Sequence, residues 1–185
     1  MENQPSNDEK TIKYIICLAG DPSVGKTTLL EKIGKTISLS LVVERNKKEE
    51  CRSFSLNMHD NPEDKEFNSP DGIILIYDIT KKDTYSNLKQ YFEDLKKTKQ
   101  YKYCSFLVVG NKSDQSLERK VDLDDVETYC KKKKFMWGGE MSFKNFDQSF
   151  FTNLLKDFTK EIFKKIGEKS VLDRKYEEQL NEFYK

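Results

Sequence analysis

The chain contains no run of 18 apolar residues, so no part of it is expected to cross a membrane as a helix. It has no marked charge of either sign. A net charge of +1 argues against a dedicated nucleic-acid binder. The first ten residues, MENQPSNDEK, lack the apolar core of a secretory signal, and disorder is expected there. Cysteine is scarce: Cys17, Cys51, Cys104 and Cys130 stand alone without metal-ligand spacing, and are expected to be reduced, buried thiols of a cytosolic protein. Histidine is scarcer, with His59 the one example. One absence is local. Residues 59–67, HDNPEDKEF, hold four carboxylates and no glycine between the apolar runs CRSFSLNM and GIILIYD.

What is present suffices for one domain with a real core, 36% apolar against 35% charged over 185 residues. TIKYIICLAG reads as a first, central strand, and TTLLEKIG as a short helix that Gly34 ends. TISLSLVVE and CRSFSLNMH read as a hairpin around RNKKEE. GIILIYDI and CSFLVVG are runs suited to burial on both faces, as in parallel sheets. DTYSNLKQYFEDLKK and DLDDVETYCKKKK read as helices with Asp83 and Asp122 as N-caps, and FMWGG as a last strand. A long helix is expected from Asn145, which stands at capping-box spacing from Gln148. Its buried face would be Phe146, Phe150, Leu154, Phe158, Ile162 and Ile166. Alternating strands and helices predict an α/β domain over 11–167, a mostly parallel sheet covered on both faces, followed by a charged helical tail, 168–185. Ligands of such sheets bind at the carboxyl ends of the strands.

Two motifs fall at those ends. Gly20-Asp-Pro-Ser-Val-Gly25-Lys26-Thr27 fits G-x-x-x-x-G-K-[ST], after a predicted strand and before a predicted helix. Successive backbone N–H groups and a helix N-terminus there form a concave anion site. Lys26 is expected between the β- and γ-phosphates, and Thr27 Oγ1 on Mg²⁺. The second motif is Asn111-Lys112-Ser113-Asp114, directly after CSFLVVG. The Asp114 carboxylate can accept from N1–H and the exocyclic amine of guanine, whereas adenine would leave it unpaired. Asn111 can support the purine and the loop, while the Lys112 stem covers one face of the ring.

The succession GDPSVGKTTLL, DGIILIYDIT, FLVVGNKSD, FDQSFFTNLL resembles the Ras-superfamily small GTPases, with GIILIYDIT and NLKQYFEDLK closest to the Rab branch. The resemblance spans roughly residues 12–166. It implies a P-loop NTPase fold with a six-stranded sheet and one antiparallel edge strand, a bound GTP or GDP with Mg²⁺, effector or regulator proteins, and a setting in vesicle trafficking. It assigns phosphate contacts to Asp21, Pro22, Ser23, Val24, Gly25, Lys26, Thr27 and Thr28, and base contacts to Asn111, Lys112 and Asp114. A last base contact falls to the backbone around Gly139 and Glu140, where relatives usually carry Ser-Ala-Lys. Mg²⁺ falls to Thr27 and, through water, to Asp60. No cysteine follows Cys130 and residue 2 is Glu2, so neither prenylation nor N-myristoylation is expected. A cytoplasmic protein that reaches membranes only through partners is therefore expected.

The pattern breaks at both switches. Relatives carry D-x-x-G-Q after the third strand; here Asp60, Glu63 and Asp64 occupy the aspartate, glycine and glutamine positions. Glu63 would repel the γ-phosphate, Asp64 cannot orient water as an amide does, and Pro62 lacks an N–H. His59 falls where tryptophan is usual and is expected to be a half-buried structural residue. The first switch needs a threonine on a loop returning from the first helix. Thr36 follows Lys26 by ten residues, which leaves ~13 Å of extended chain to climb back and no slack for a loop that opens and closes. Pro22 and Ser23 should weaken phosphate binding without abolishing it. Lys131–Lys134 suit a helix C-terminus. The expected function is a guanine-nucleotide-binding module with weak or absent hydrolysis and no assigned catalytic residue. Its alternatives are a GTPase completed by a partner that supplies an arginine, an interaction domain without nucleotide, and an adenylate-using kinase, which Asp114 opposes.

Overall fold

A computed structural model describes residues 11–45, 47–59, 70–97, 101 and 103–167. The expectations for 1–10, for Asp60 to Asp64 and for the tail lie outside these residues. The elements run β1 (Ile12–Ala19), α1 (Lys26–Ile33), β2 (Thr36–Arg45), β3 (Lys48–His59), β4 (Gly72–Asp78), α2 (Lys82–Lys96), β5 (Ser105–Asn111), α3 (Leu123–Lys133), β6 (Met136–Glu140) and α4 (Gln148–Ile166). A 3₁₀ segment, Ser113–Glu118, follows β5. The sheet order is β2-β3-β1-β4-β5-β6, parallel except for the edge pair β2–β3. The predicted α/β fold with one antiparallel edge strand is the observed one.

All seven residues of β4 are buried, because both faces of the sheet are covered. Alternation sends Ile74 and Ile76 to one core with α1 and α4, and Ile73, Leu75 and Tyr77 to another with α2 and α3. Helix α4 lies close on the sheet where Gly72 presents no side chain: a Cβ there would stand 2.8 Å from both Phe158 and Ile162. Gly34 ends α1 with φ 79°, and Asp122 caps α3 by accepting from Asp124 N, as the sequence predicts.

Four expectations are corrected. Lys81, not Asp83, is the N-cap of α2, because Asp78 Oδ1 draws Thr80 N–H and Oγ1–H into the preceding turn and the helix starts at once. Asp147, not Asn145, caps α4 by accepting from Phe150 N at 2.9 Å. Phe150 is 48% exposed while Phe151 and Leu155 are buried. A ladder of every fourth residue advances ~400° per step and so drifts ~40° per step around a helix, which carries Phe150, the ladder's first member inside α4, out of the core. Cys51 is exposed on the edge hairpin; the other three thiols are buried, and none of the four forms a disulfide.

Gly72→Ala should destabilise the domain by about 1–3 kcal/mol through overpacking against Phe158 and Ile162. Urea denaturation checks this, and adding Phe158→Leu should recover part of the loss.

Candidate functional site

The loop between β1 and α1 is shaped by close approaches that exclude side chains. Gly20 has φ 146°, and a Cβ on it would stand 2.2 Å from Ile76 O. Gly25 has φ 106°, and a Cβ there would stand 2.3 Å from Asn111 Nδ2. Ser23 takes a left-handed φ of 66° without being glycine. Gly25 is also the N-cap of α1 and offers no side-chain acceptor, nor is there an acid in the first turn. The N-terminal amides of α1 thus face a place where an anion would be their natural acceptor. Lys26 Nζ donates to Gly20 O at 2.7 Å and to Asp21 O at 3.1 Å, so its ammonium arches over the loop. Thr27 and Thr28 are exposed behind it, as are Pro22 and Ser23 in front. This cradle of glycines, amides, ammonium and hydroxyl fits a polyphosphate with Mg²⁺. Asp21 is turned aside, its Oδ2 accepting from Asn87 Nδ2 of α2 at 2.8 Å.

Asn111, buried at the end of β5, joins this loop to the second motif. Its Nδ2 donates to Val24 O at 2.7 Å, and its Oδ1 accepts from Lys112 N at 2.7 Å and from Phe143 N at 2.9 Å. Lys112 takes a left-handed φ of 71° and places Nζ 2.6 Å from Asp78 Oδ2. The ion pair pins the ammonium at the end of β4, and the apolar stem runs between that point and the Lys112 backbone. Burial pushes the Asp78 carboxyl up, but hydrogen bonds from Lys112 and Thr80 outweigh it and leave the pKa below its ordinary value. Asp114 is exposed in the 3₁₀ segment and faces a cavity of about 340 Å³ that Ser142, Asn145 and Phe146 also line. Among the described residues no three His, Cys, Asp or Glu side chains gather around a metal position.

The phosphate loop, Asn111 and Lys112 thus converge on one edge, and Asp114 lies beside them. Glu140 lines the cavity that Asp114 faces and pairs with Gly110, next to Asn111. Gly139 and Glu140 both belong to β6, and the Glu140 carboxylate is taken by two bonds from Arg119 and one from Tyr77 OH. The backbone that closes against the second motif comes later. Met141 N donates to Gly110 O, Ser113 N to Met141 O, and Phe143 N to Asn111. The signal for this in the sequence is Ser142-Phe143-Lys144, a Ser-x-Lys order three residues beyond the expected place. Asp60 lies outside the described residues.

The first switch is absent as a loop. Only Gly34 and Lys35 separate α1 from β2, and Lys35 O already accepts from Met58 N at 2.7 Å. The expected climb back toward the phosphate loop does not occur. Thr36 pairs with Asn57, which pairs with Ile15, four residues short of the end of β1 at Ala19. At ~3.3 Å per residue, Thr36 lies ~13 Å down the sheet from the phosphate loop. Its hydroxyl is 3.5 Å from Asn57 Oδ1.

This arrangement defines a P-loop α/β domain with the Asn111-Lys112-Ser113-Asp114 motif on the same edge. The sequence model of the Ras family matches residues 58–164, and the chain belongs to that family. It is similar to NF-kappa-B inhibitor-interacting Ras-like protein 2 of Xenopus laevis, 27% identical over 145 residues, 69% of this chain and 88% of that protein. It is also similar to Ras-related protein Rab-12 of Mus musculus, 29% identical over 177 residues, 81% of this chain and 69% of that protein. Ras-family GTPases bind GTP and GDP, typically with Mg²⁺.

Asn111→Ala removes three hydrogen bonds and leaves Val24 O and Phe143 N without their partner. We expect a loss of about 3 kcal/mol in urea denaturation. Asp78 has its folded pKa below 3.8, so its contribution is present above that value and fades as pH falls through the folded pKa. The stability gap between wild type and Asp78→Asn should therefore be full at neutral pH and shrink below 3.8, as measured by urea melts across pH.

Proposed function

We propose that this chain holds a guanine nucleotide as a fixed ligand, with weak or absent hydrolysis, and serves as a cytoplasmic protein-binding module that reaches membranes only through partners. The observation that carries this reading is the two-residue connection between α1 and β2, which commits Thr36 to the edge ladder. A switch reports the γ-phosphate only if an element gains contacts with it. With Thr36 in the ladder, no first-switch threonine competes for Mg²⁺. Glu63 and Asp64, at the glycine and glutamine positions of the family's second switch, add charge where a γ-phosphate contact and a water-orienting amide would be needed.

In this reading, Lys26 and the amides of residues 21–28 hold the phosphates. Thr27 Oγ1 ligates Mg²⁺, with Asp60 supporting it through water, and Asp114 selects guanine over adenine. We assign the final base contact to the backbone of Phe143 and Lys144 instead of Gly139 and Glu140, since the Phe143 N–H bond to Asn111 puts that segment beside the base motif. The Xenopus relative is named for an interaction with an NF-kappa-B inhibitor. A protein partner is proposed here too, with vesicle trafficking, after the Rab relatives, as its setting.

The test is nucleotide binding by the purified full chain. GDP should bind at least as tightly as GTP at millimolar Mg²⁺, since no element gains contacts with the γ-phosphate and Glu63 repels it. Lys26→Ala should abolish both, and Asp114→Asn should shift preference from guanine toward xanthine. A strong preference for GTP, or single-turnover cleavage restored by cell extract, would overturn the fixed-ligand reading in favour of a working switch. Binding of neither nucleotide would remove the site altogether.

A further inference from the structure

At the pole opposite the phosphate loop, the chain builds a second concave surface. The carboxyl ends of α2, α3 and α4 meet there around a groove of about 840 Å³. Its floor includes Phe92, Phe106 and Phe135, packed against one another with centroids 4.6–5.1 Å apart. Its rim carries six lysines in three adjacent pairs: Lys96 and Lys97, Lys133 and Lys134, Lys164 and Lys165. Glu161 is the one acidic residue among those lining it.

Cations suit helix C-termini, and one lysine of each pair has a local partner. Lys97 pairs with Asp94, Lys133 with Glu93, and Lys165 Nζ donates to Cys104 O at 2.6 Å. Lys96, Lys134 and Lys164 are exposed and make no ion pair among the described residues. Three unpaired ammoniums around an aromatic floor form a surface for an acidic segment that also carries aromatic side chains.

The chain supplies a segment of that chemistry after α4. Helix α4 stops at Gly167, whose φ of 72° turns the backbone off the helix axis two residues after Lys165. Tyr14 OH bonds to Gly167 O and fixes that turn. Residues 176–184, YEEQLNEFY, combine Glu177, Glu178 and Glu182 with Tyr176, Leu180, Phe183 and Tyr184, without one basic residue. The nine residues from Gly167 to Tyr176 can span up to ~30 Å, enough to turn back over the groove. We propose that residues 176–184 dock in this groove within the same chain, their carboxylates on Lys96, Lys134 and Lys164 and their aromatic rings on the phenylalanine floor.

The inference does not depend on nucleotide binding, and its test reads neither affinity nor hydrolysis. Full-length protein is treated with a zero-length carbodiimide cross-linker, using mixed light and ¹⁵N-labelled chains, and the links are mapped by mass spectrometry. Links from Lys96, Lys134 or Lys164 to Glu177, Glu178 or Glu182 inside one chain are expected. Absence of such links, or links joining light to heavy chains, overturns the proposal, the latter in favour of a second copy as occupant. In parallel, hydrogen exchange of the tail amides is compared between wild type and the triple variant Lys96→Glu, Lys134→Glu, Lys164→Glu. Exchange should quicken by about threefold or more. Unchanged exchange in a variant that melts like wild type overturns it. If adding phosphatidylserine vesicles leaves tail exchange unchanged while the lysines bind the vesicle, the groove is a lipid site and the proposal fails.

Discussion

The side-chain amide of Asn111 is the joint on which the ligand edge is assembled. Three stretches far apart in the chain meet there: Val24 of the phosphate loop, Lys112 of the base motif and Phe143 of the segment after β6. Ordering a loop residue costs about 1–2 kcal/mol of conformational entropy, so loops at strand ends need specific bonds to hold one shape. One amide with a donor and an acceptor can tie three of them at once. The arrangement also explains Gly25, since any side chain at that position would occupy the space of the Asn111 amide. Asp78 and Lys112 make the second tie, from the end of β4 to the base motif.

The shortness of the chain between α1 and β2 acts in the opposite sense: it removes freedom instead of organising it. A conformational switch needs an element with two arrangements and a ligand that prefers one of them. Here the residues that would form the first such element enter a ten-pair antiparallel ladder immediately. The edge hairpin gains a long, well-paired strand and the ligand edge loses a moving part. In the proposed fixed-ligand reading, a bound nucleotide acts by mass action, stabilising the folded state by ~2.7 kcal/mol at a hundred times its dissociation constant.

Most of the fold was legible because its signals are local. The two apolar runs of β4 and β5, the glycine ending α1 and the aspartate capping α3 each declare themselves within a few residues. The phosphate loop and the Asn111 motif were legible for the same reason. What failed was whatever depends on where another element sits. The start of α2 is decided by the Asp78 carboxylate, which belongs to the preceding strand. Phe150 follows the apolar ladder yet faces solvent, because the phase of α4 is set by its packing over Gly72. The segment after β6 closes on Asn111 through Phe143, a register that no periodicity in the sequence marks. Thr36 begins the edge strand as read, but its depth in the sheet is a property of the pairing with Asn57.

Between the ligand edge and the lysine groove lies the length of β4 and β5, seven residues each, or ~23 Å of fully packed sheet. Coupling two sites across that distance requires an element with two discrete packings that both sites bias. Among the described residues the connecting strands are buried on both faces, and the helices that flank the groove end in fixed caps or pairs. A close-packed interior of this kind has low compressibility, and its elements keep one packing unless a cavity or an alternative register is available. The two poles are therefore separate surfaces of the described domain, the glycine loop with Lys26 at one and the lysine-rimmed aromatic groove at the other. With residues 176–184 docked as proposed, control of the groove enters through competition for Lys96, Lys134 and Lys164.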